Sequence, residues 1–494
     1  MNRTLLCIRQ RPLTCVLVPA LAGLMLLSAG AAASALSDDG KRDLDAKGGA
    51  ILPAPPDKEI TGALARISAP EIEQTIAKLV TFHNRSTISS MDKDLPAGEG
   101  VTAAADWIEA ELKRYSTECG GCLEVKRDTF TEPAQTGAHP RITQPTTISN
   151  VYAVLKGSDP AQAGRIILVT GHYDSRNSDT MNTRDAAPGA NDDASGVAVS
   201  LACAHALSKL KLPATLIFAA VAGEEQGLNG SAHLAKLAKS EGWQLEAVLN
   251  NDIVGGNTTP GDTLQDKSVV RVFSEGIPSS ATPEEQRGIL RLGYESDSPS
   301  RELARAIEDV GGTYSATSRR KVSGVRPIME FRLDRFLRGG DHSSFNQQGF
   351  AAVRFTEWRE DFHHQHQNVR TENGVEYGDL LKFVDFNYVA SVARLNAAAM
   401  ATLAAAPPPP ANVHVVVKNL DNDTTLNWTG GPGAVANTGY EVVWRELAAP
   451  DWQRSIAVPD GTSITLPISK DNVIFGVRAV DAAGHRSVAV VPIP

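Results

Sequence analysis

Three apolar runs that each end on acidic or imidazole residues limit this chain's folds more than any other feature. They are "RIILVTGHYDS" (165–175), "ATLIFAAVAGEEQG" (214–227) and "LEAVLNNDIVGG" (245–256). Each is short, rich in Ile, Val, Leu and Phe, and stops at turn residues, which predicts a strand buried on both faces. Between them lie "ASGVAVSLACAHALSKL" and "SAHLAKLAK", which predict helices. "SNVYAVLKG" upstream and "GFAAVRFTE" downstream predict further strands, and a long helix is expected from about Tyr377 to Ala405. Strands alternating with helices imply an α/β domain whose sheet is mixed, largely parallel and flanked by helices. Parallel strands point the same way, so the residues that follow each one collect at a single edge, where open α/β sheets bind ligands.

That edge receives His172 and Asp174 from the first run, Glu224 and Glu225 from the second and Asp252 from the third. The loop "PGANDDASGVA" adds Asp192 and Asp193 at the mouth of a helix, where a cap needs only one side-chain oxygen. One acidic strand end is ordinary. Gathering Asp192, Glu224, Glu225 and Asp252 without a cation would cost several kcal/mol, roughly, in repulsion and desolvation. A divalent metal cluster offsets that cost, and a mixed imidazole and carboxylate set suits zinc, with cobalt or manganese as substitutes. Adjacent Glu224 and Glu225 leave the backbone in different directions, so one can face a metal and the other a water. The chain lacks a G-x-S-x-G elbow and the H-E-x-x-H zinc signature, which removes two common hydrolase types.

With "GHYDS", "GANDDASG", "GEEQGLNGS", "NND" and a late histidine in this order, residues 60 to 405 resemble the co-catalytic zinc peptidases of the M28 aminopeptidase family. The resemblance implies the zinc exopeptidase fold, two zinc ions per chain and a peptide substrate shortened from its N-terminus. It also implies that His172 and Asp252 bind one zinc, that Glu225 and a late histidine bind the other, and that Asp192 bridges them. Glu224 would be the general base and Asp174 would orient His172 through its second nitrogen. The late histidine lies in "EDFHHQHQNVRT", where spacing after "RFTE" favours His366 over His364. Gln365 stands just before it where relatives often have a tyrosine nearby, which leaves the electrophile for the tetrahedral intermediate open. In "LDRFLRGGDHSSF", the resemblance makes His342 a support for the pocket wall, and Arg335 or Arg338 is a candidate grip for a substrate carboxylate. The resemblance further implies a cis peptide between Asp192 and Asp193, with Asp193 bracing the loop.

Three other readings keep parts of this picture. A carboxypeptidase or dipeptidase would use the same metals, glutaminyl cyclase would use one zinc for a transfer, and a binding protein would have lost catalysis. Filled ligand positions and an intact Glu224 count against the last two.

The ends of the chain read differently. Arg3, Arg9 and Arg11 precede an apolar run from Leu13 to Ala33 and a small-residue site at Ala33-Ser34-Ala35, the pattern of a signal peptide over 1–35. Export to the periplasm or outside the cell, with no membrane span after cleavage, is therefore expected. "CGGC" at 119–122 then forms a local disulfide, while Cys203 is a buried thiol. Residues 36–59 are polar and charged and suggest a flexible leader. "AAAPPPPAN" marks a stiff linker over 406–412, after which short alternating segments predict a small all-β sandwich over 413–494. That tail resembles a fibronectin type III module, with Trp428 in an early core strand and Val473 replacing the usual tyrosine, and it is a candidate for contact with a surface or polysaccharide. A formal charge of -9 argues against a nucleic-acid partner.

Overall fold

The apolar runs become adjacent strands. The computed structural model describes residues 43–494 except 316–323, 419 and 436–437, so the expected signal peptide and the start of the leader lie outside the described residues. An eight-stranded sheet contains β1 (Leu123–Glu132), β2 (Thr146–Leu155), β3 (Arg165–His172), β4 (Thr215–Val221), β5 (Gln244–Asn251), β6 (Val269–Ser274), β7 (Arg326–Glu330) and β8 (Ala352–Glu357). Their order is β1-β2-β4-β3-β5-β8-β6-β7. The central four, β4, β3, β5 and β8, run parallel. Antiparallel pairing begins at β2 on one side and β6 on the other. The expected α/β fold with a mixed, largely parallel sheet is observed.

Alternation along β3 fills both faces of the sheet. Ile167 and Val169 join the core with the helices Ala69–Val80, Ala194–Leu207 and Phe386–Ala405, whereas Leu168 packs with Leu234 and Phe345 on the opposite side. Helix Ala194–Leu207 is apolar all round because it lies between the sheet and other helices. Two glycines let it sit close: a Cβ on Gly171 would lie 2.4 Å from the Gly196 carbonyl carbon, and one on Gly196 would lie 2.0 Å from the Asn251 oxygen. That close approach brings the Asp192-Asp193 loop to the strand ends.

Three expectations about segments need correction. The leader is not free: from Asp43 it packs on the C-terminal unit, with Leu44 buried, Gly49–Ala50 pairing with Arg454–Val458, and the Leu44 carbonyl accepting from Trp444 Nε1 at 2.9 Å. A few anchoring residues suffice where composition suggested none. The prolines are not an open spacer, since Pro407, Pro408 and Pro410 are buried and the Ala406 carbonyl accepts from Arg165 Nη1 at 2.8 Å. The last long helix starts at Phe386, not near Tyr377, because Asp385 caps it through the amides of Asn387 and Tyr388 and a hairpin (Arg370–Glu372 with Val375–Tyr377) precedes it.

Beyond the prolines, two small antiparallel sheets enclose Trp428, Trp444 and Phe475. Cys119 and Cys122 form a disulfide after helix Gly100–Glu118, and Cys203 is buried and free. Among the described residues, no helix is long and apolar enough to cross a membrane.

Candidate metal centre

Asp192 and Asp193 stand side by side but serve different neighbours. Asp193 caps helix Ala194–Leu207 by accepting from the Gly196 amide at 3.0 Å, and its other oxygen accepts from the His172 amide at 2.9 Å. It therefore ties the loop to the end of β3. The peptide between the two aspartates is cis. The Asp192 amide donates to Asp379 Oδ2 at 2.6 Å, which fixes the backbone and leaves its own carboxylate for the cavity.

The two oxygens of Asp192 belong to two separate sets. Oδ1 lies 3.2 Å from His172 Nε2, and that nitrogen is 4.0 Å from Asp252 Oδ1. Oδ2 lies 2.9 Å from His366 Nε2, which is 3.0 Å from Glu225 Oε1. His172, Asp192 and Asp252 form one group able to hold a metal ion; Asp192, Glu225 and His366 form the other. All five residues proposed as ligands from the sequence are brought together. His364 is not among them: its ring stacks on Phe383 at 3.6 Å and its Nδ1 faces Asn257 Oδ1 at 3.2 Å.

Asp174 sits behind His172. The His172 Nδ1 lies 3.1 Å from the Asp174 carbonyl oxygen and 3.3 Å from its Oδ1, so Nδ1 carries the proton and Nε2 is turned to the cavity. Asp174 Oδ2 also accepts from Thr87 Oγ1 at 2.8 Å and from the Glu225 amide at 3.2 Å, joining two strand ends. Glu224 lines the same cavity of about 430 Å3 as Asp192, Glu225, Asp252 and His366. Its carboxylate pairs with no cation among the described residues. A larger cavity of about 550 Å3 opens beside Arg305, Glu308 and Trp452, and no imidazole lines it.

Electrostatics follow from crowding. Burial raises the Glu224 carboxyl well above the usual range, against the pull of His172 and with added repulsion from Glu225 and Asp252. Burial also raises Asp252, against the pull of Arg354. For Asp192 burial is outweighed by His366 and His172, which hold it well below the ordinary value. The two imidazoles move upward for the same reason: burial disfavours their charge, yet the carboxylates dominate and push His366 to about 10.

Several residues of the site carried no clear signal in the sequence. Arg354, fully buried in β8, donates to Asp252 Oδ1 at 2.8 Å and to Asp334 Oδ2 at 2.9 Å. Its one trace was a lone arginine in the apolar run "AAVRFTE". Arg176 donates from Nε to Glu225 Oε2 at 2.8 Å, and its Nη2 lies 2.7 Å from His366 Nδ1. Asp379 was also missed, whereas the fully buried Asp341 belongs to the Asp-His pair expected from "LDRFLRGGDHSSF"; burial pushes each to about 7. His342 lies behind the site, its Nε2 donating to the Leu333 carbonyl at 2.8 Å, and burial lowers it to about 4, which keeps the ring neutral.

Sheet and strand-end donors together define a class: mixed-sheet α/β proteins with two imidazole and carboxylate sets joined through one shared aspartate. Residues 150–381 match the profile of peptidase family M28. A probable zinc metalloprotease of Pyrenophora tritici-repentis is 43% identical over 452 residues, covering 90% of this chain and 89% of its own. Another from Leptosphaeria maculans is 44% identical over 449 residues, covering 90% and 99%. The chain belongs to peptidase family M28. The crystal structure of the Legionella pneumophila aminopeptidase LapA aligns over 73% of this chain and 78% of its own at 19% identity, with a TM-score of 0.48.

Proposed function

We propose that this protein is an exported zinc metallopeptidase that holds two zinc ions and removes N-terminal residues from peptides. The observation that carries the reading is the division of Asp192, with one oxygen toward His172 and Asp252 and the other toward His366 and Glu225. The residues fit a cation pair in a second way. His172 Nε2 and Glu225 Oε1 are buried and meet only the carboxylate or imidazole of their own set, without a well-directed hydrogen bond, and an unsatisfied buried polar atom is costly. Bound there, the two ions would polarise the scissile carbonyl and lower the pKa of a water.

The chain's own groups supply the rest. Glu224 lines the cavity beside both sets without a cationic partner, so it can take a proton from the attacking water and deliver it to the leaving amine. Burial raises its pKa above that of a free carboxyl, which makes the carboxylate a stronger base. Asp174 keeps His172 in the tautomer that presents Nε2. The cavity of about 430 Å3 is of the size that encloses a small ligand, in keeping with the end of a peptide. The disulfide between Cys119 and Cys122 supports an oxidising compartment. The C-terminal unit, with two facing sheets around Trp428 and Trp444, is carried as a fibronectin type III-like module.

Metal analysis of the purified protein tests the site and the reaction together. About two zinc ions per chain are expected, falling in Asp192→Asn, with hydrolysis of an amino-acid anilide. One metal per chain, or activity confined to N-blocked dipeptides, would overturn the reading.

A further inference from the structure

Four arginines line the cavity, and their partners divide them. Arg176 is committed to Glu225, at 2.8 Å. Arg335 is committed to Asp334 at 3.1 Å and to Glu360 at 2.7 Å. The other two are held by neutral oxygens. Arg338 donates from Nη1 to Gln365 Oε1 at 3.1 Å and lies over the Phe362 ring at 5.9 Å. Arg141 donates from Nη1 to the Glu225 carbonyl oxygen at 2.8 Å. A guanidinium has five N–H donors, so each keeps its charge and free donors.

Gln365 sets the place of Arg338. Its Nε2 donates to Asp192 Oδ2 at 3.0 Å while its Oε1 accepts from Arg338. A carboxylate only accepts and a guanidinium only donates, so the amide can face them in just one orientation. The cation is thereby fixed two hydrogen bonds from the shared aspartate. Large apolar side chains on the wall are confined to Leu228 and Leu337, which makes a poor socket for a bulky hydrophobic group.

We propose that this site recognises a carboxylate on its substrate through Arg338 and Arg141, with Gln365 as the positioning residue for Arg338. The inference rests on the peptidase reading above. The group recognised is a carboxylate close to the scissile bond, supplied either by the free C-terminus of a short peptide or by an acidic side chain. Arg141 comes from the loop between β1 and β2 and Arg338 from the loop after β7, so the two guanidiniums reach the cavity from different walls. A carboxylate bound between them gains charge-assisted hydrogen bonds.

Two matched substrate pairs test this with the zinc-loaded full chain. One compares Leu-Gly with its C-terminal amide, and the other compares the p-nitroanilides of glutamate and glutamine. The wild type should favour the carboxylate member of at least one pair by roughly tenfold or more in kcat/KM. Preference in the first pair identifies a terminal carboxylate; preference in the second identifies a side chain. Arg338→Gln and Arg141→Gln should each reduce that ratio by roughly tenfold, and Arg338→Lys should restore part of it. Equal kcat/KM within both pairs, or equal losses on both members in the variants, would overturn the proposal while the peptidase reading stands. No hydrolysis of any of the four would sink both.

Discussion

Two clusters of buried charge in this molecule are built on opposite terms. Under the C-terminal unit, Asp297 and Glu302 meet Arg305 and Arg445, and the side chains of all four are nearly fully buried. Asp297 Oδ1 takes Arg445 Nη2 at 2.6 Å and Arg305 Nη1 at 3.3 Å; Glu302 pairs with Arg305 and accepts from Trp452 Nε1 at 3.1 Å. Two acids face two guanidiniums. At the strand ends, Asp192, Glu224, Glu225 and Asp252 line a cavity with His366 and four arginines, of which only Arg176 is paired with one of these carboxylates. His172 and Arg354 lie against the same carboxylates, while Asp174, Asp193, Asp341 and Asp379 are buried around them. Among the described residues, neither oxygen of Asp341 forms an ion pair there. A balanced network fastens two parts of a chain, whereas a deficit of positive charge prepares a place for cations that the chain does not itself supply.

The comparison breaks most sharply at Glu224. Replacement by Gln removes a negative charge from the crowded side, so kcat should fall by roughly 10²–10⁴-fold with no loss of thermal stability. Thermal melts beside steady-state kinetics measure both. A large loss of stability would mean that the site is balanced like the other cluster.

Asp297→Asn should do the reverse. It leaves Arg305 and Arg445 buried with too little negative charge, and loss of one partner from such a network costs roughly 3–5 kcal/mol. Denaturant unfolding should report that cost, while kcat per folded molecule stays near that of the wild type. If unfolding shifts by less than about 1 kcal/mol, the network is not what fastens the C-terminal unit.

Titration sharpens the contrast within the balanced cluster. Burial, countered by Arg305 and reinforced by repulsion from Asp297, pushes Glu302 up to about 7 in the folded protein. A raised carboxyl pKa means the folded state holds the proton more tightly than the unfolded one. Its contribution is then fully present below about pH 4.5 and is lost as the pH climbs through 7. Relative to Glu302→Gln, the wild type should gain up to about 3 kcal/mol on going from pH 8 to pH 5. A flat difference between the two proteins over that interval would refute the assignment.

What could be read from the sequence follows from the range of each interaction. The parallel strands, helix Ala194–Leu207 and the carboxylates at the strand ends were legible because apolar period and turn residues are local signals. Choosing between His364 and His366 took more, since the backbone at His366 is left-handed (φ 54°) and nothing in "HHQHQ" announces it. Arg354 was hidden because a guanidinium inside β8 is tolerable only once Asp252 and Asp334 arrive from elsewhere. The segment from Asp43 looked unstructured for a similar reason, as Trp444 is 400 positions from the Leu44 carbonyl it binds. Composition records what a segment contains and not what it will meet.

The smallest effect is expected in that same segment. Asp45 and Arg454 form an ion pair with contacts of 2.5 and 3.0 Å, as short as several in the buried network, but their side chains are 39% and 31% exposed. Water screens such a pair and competes for its hydrogen bonds, so distance alone says little about its strength. A double-mutant cycle with Asp45→Ala and Arg454→Ala should give a coupling of roughly 0.2–1 kcal/mol that shrinks in high salt. The hold on residues 43–57 would then come from Leu44 in the sandwich core and from the Gly49–Ala50 pairing. A salt-resistant coupling of 3 kcal/mol or more, roughly the cost of breaking a buried pair, would place this exposed contact beside Asp297 and Arg445. Burial would then no longer be what separates the fastening cluster from an ordinary surface pair.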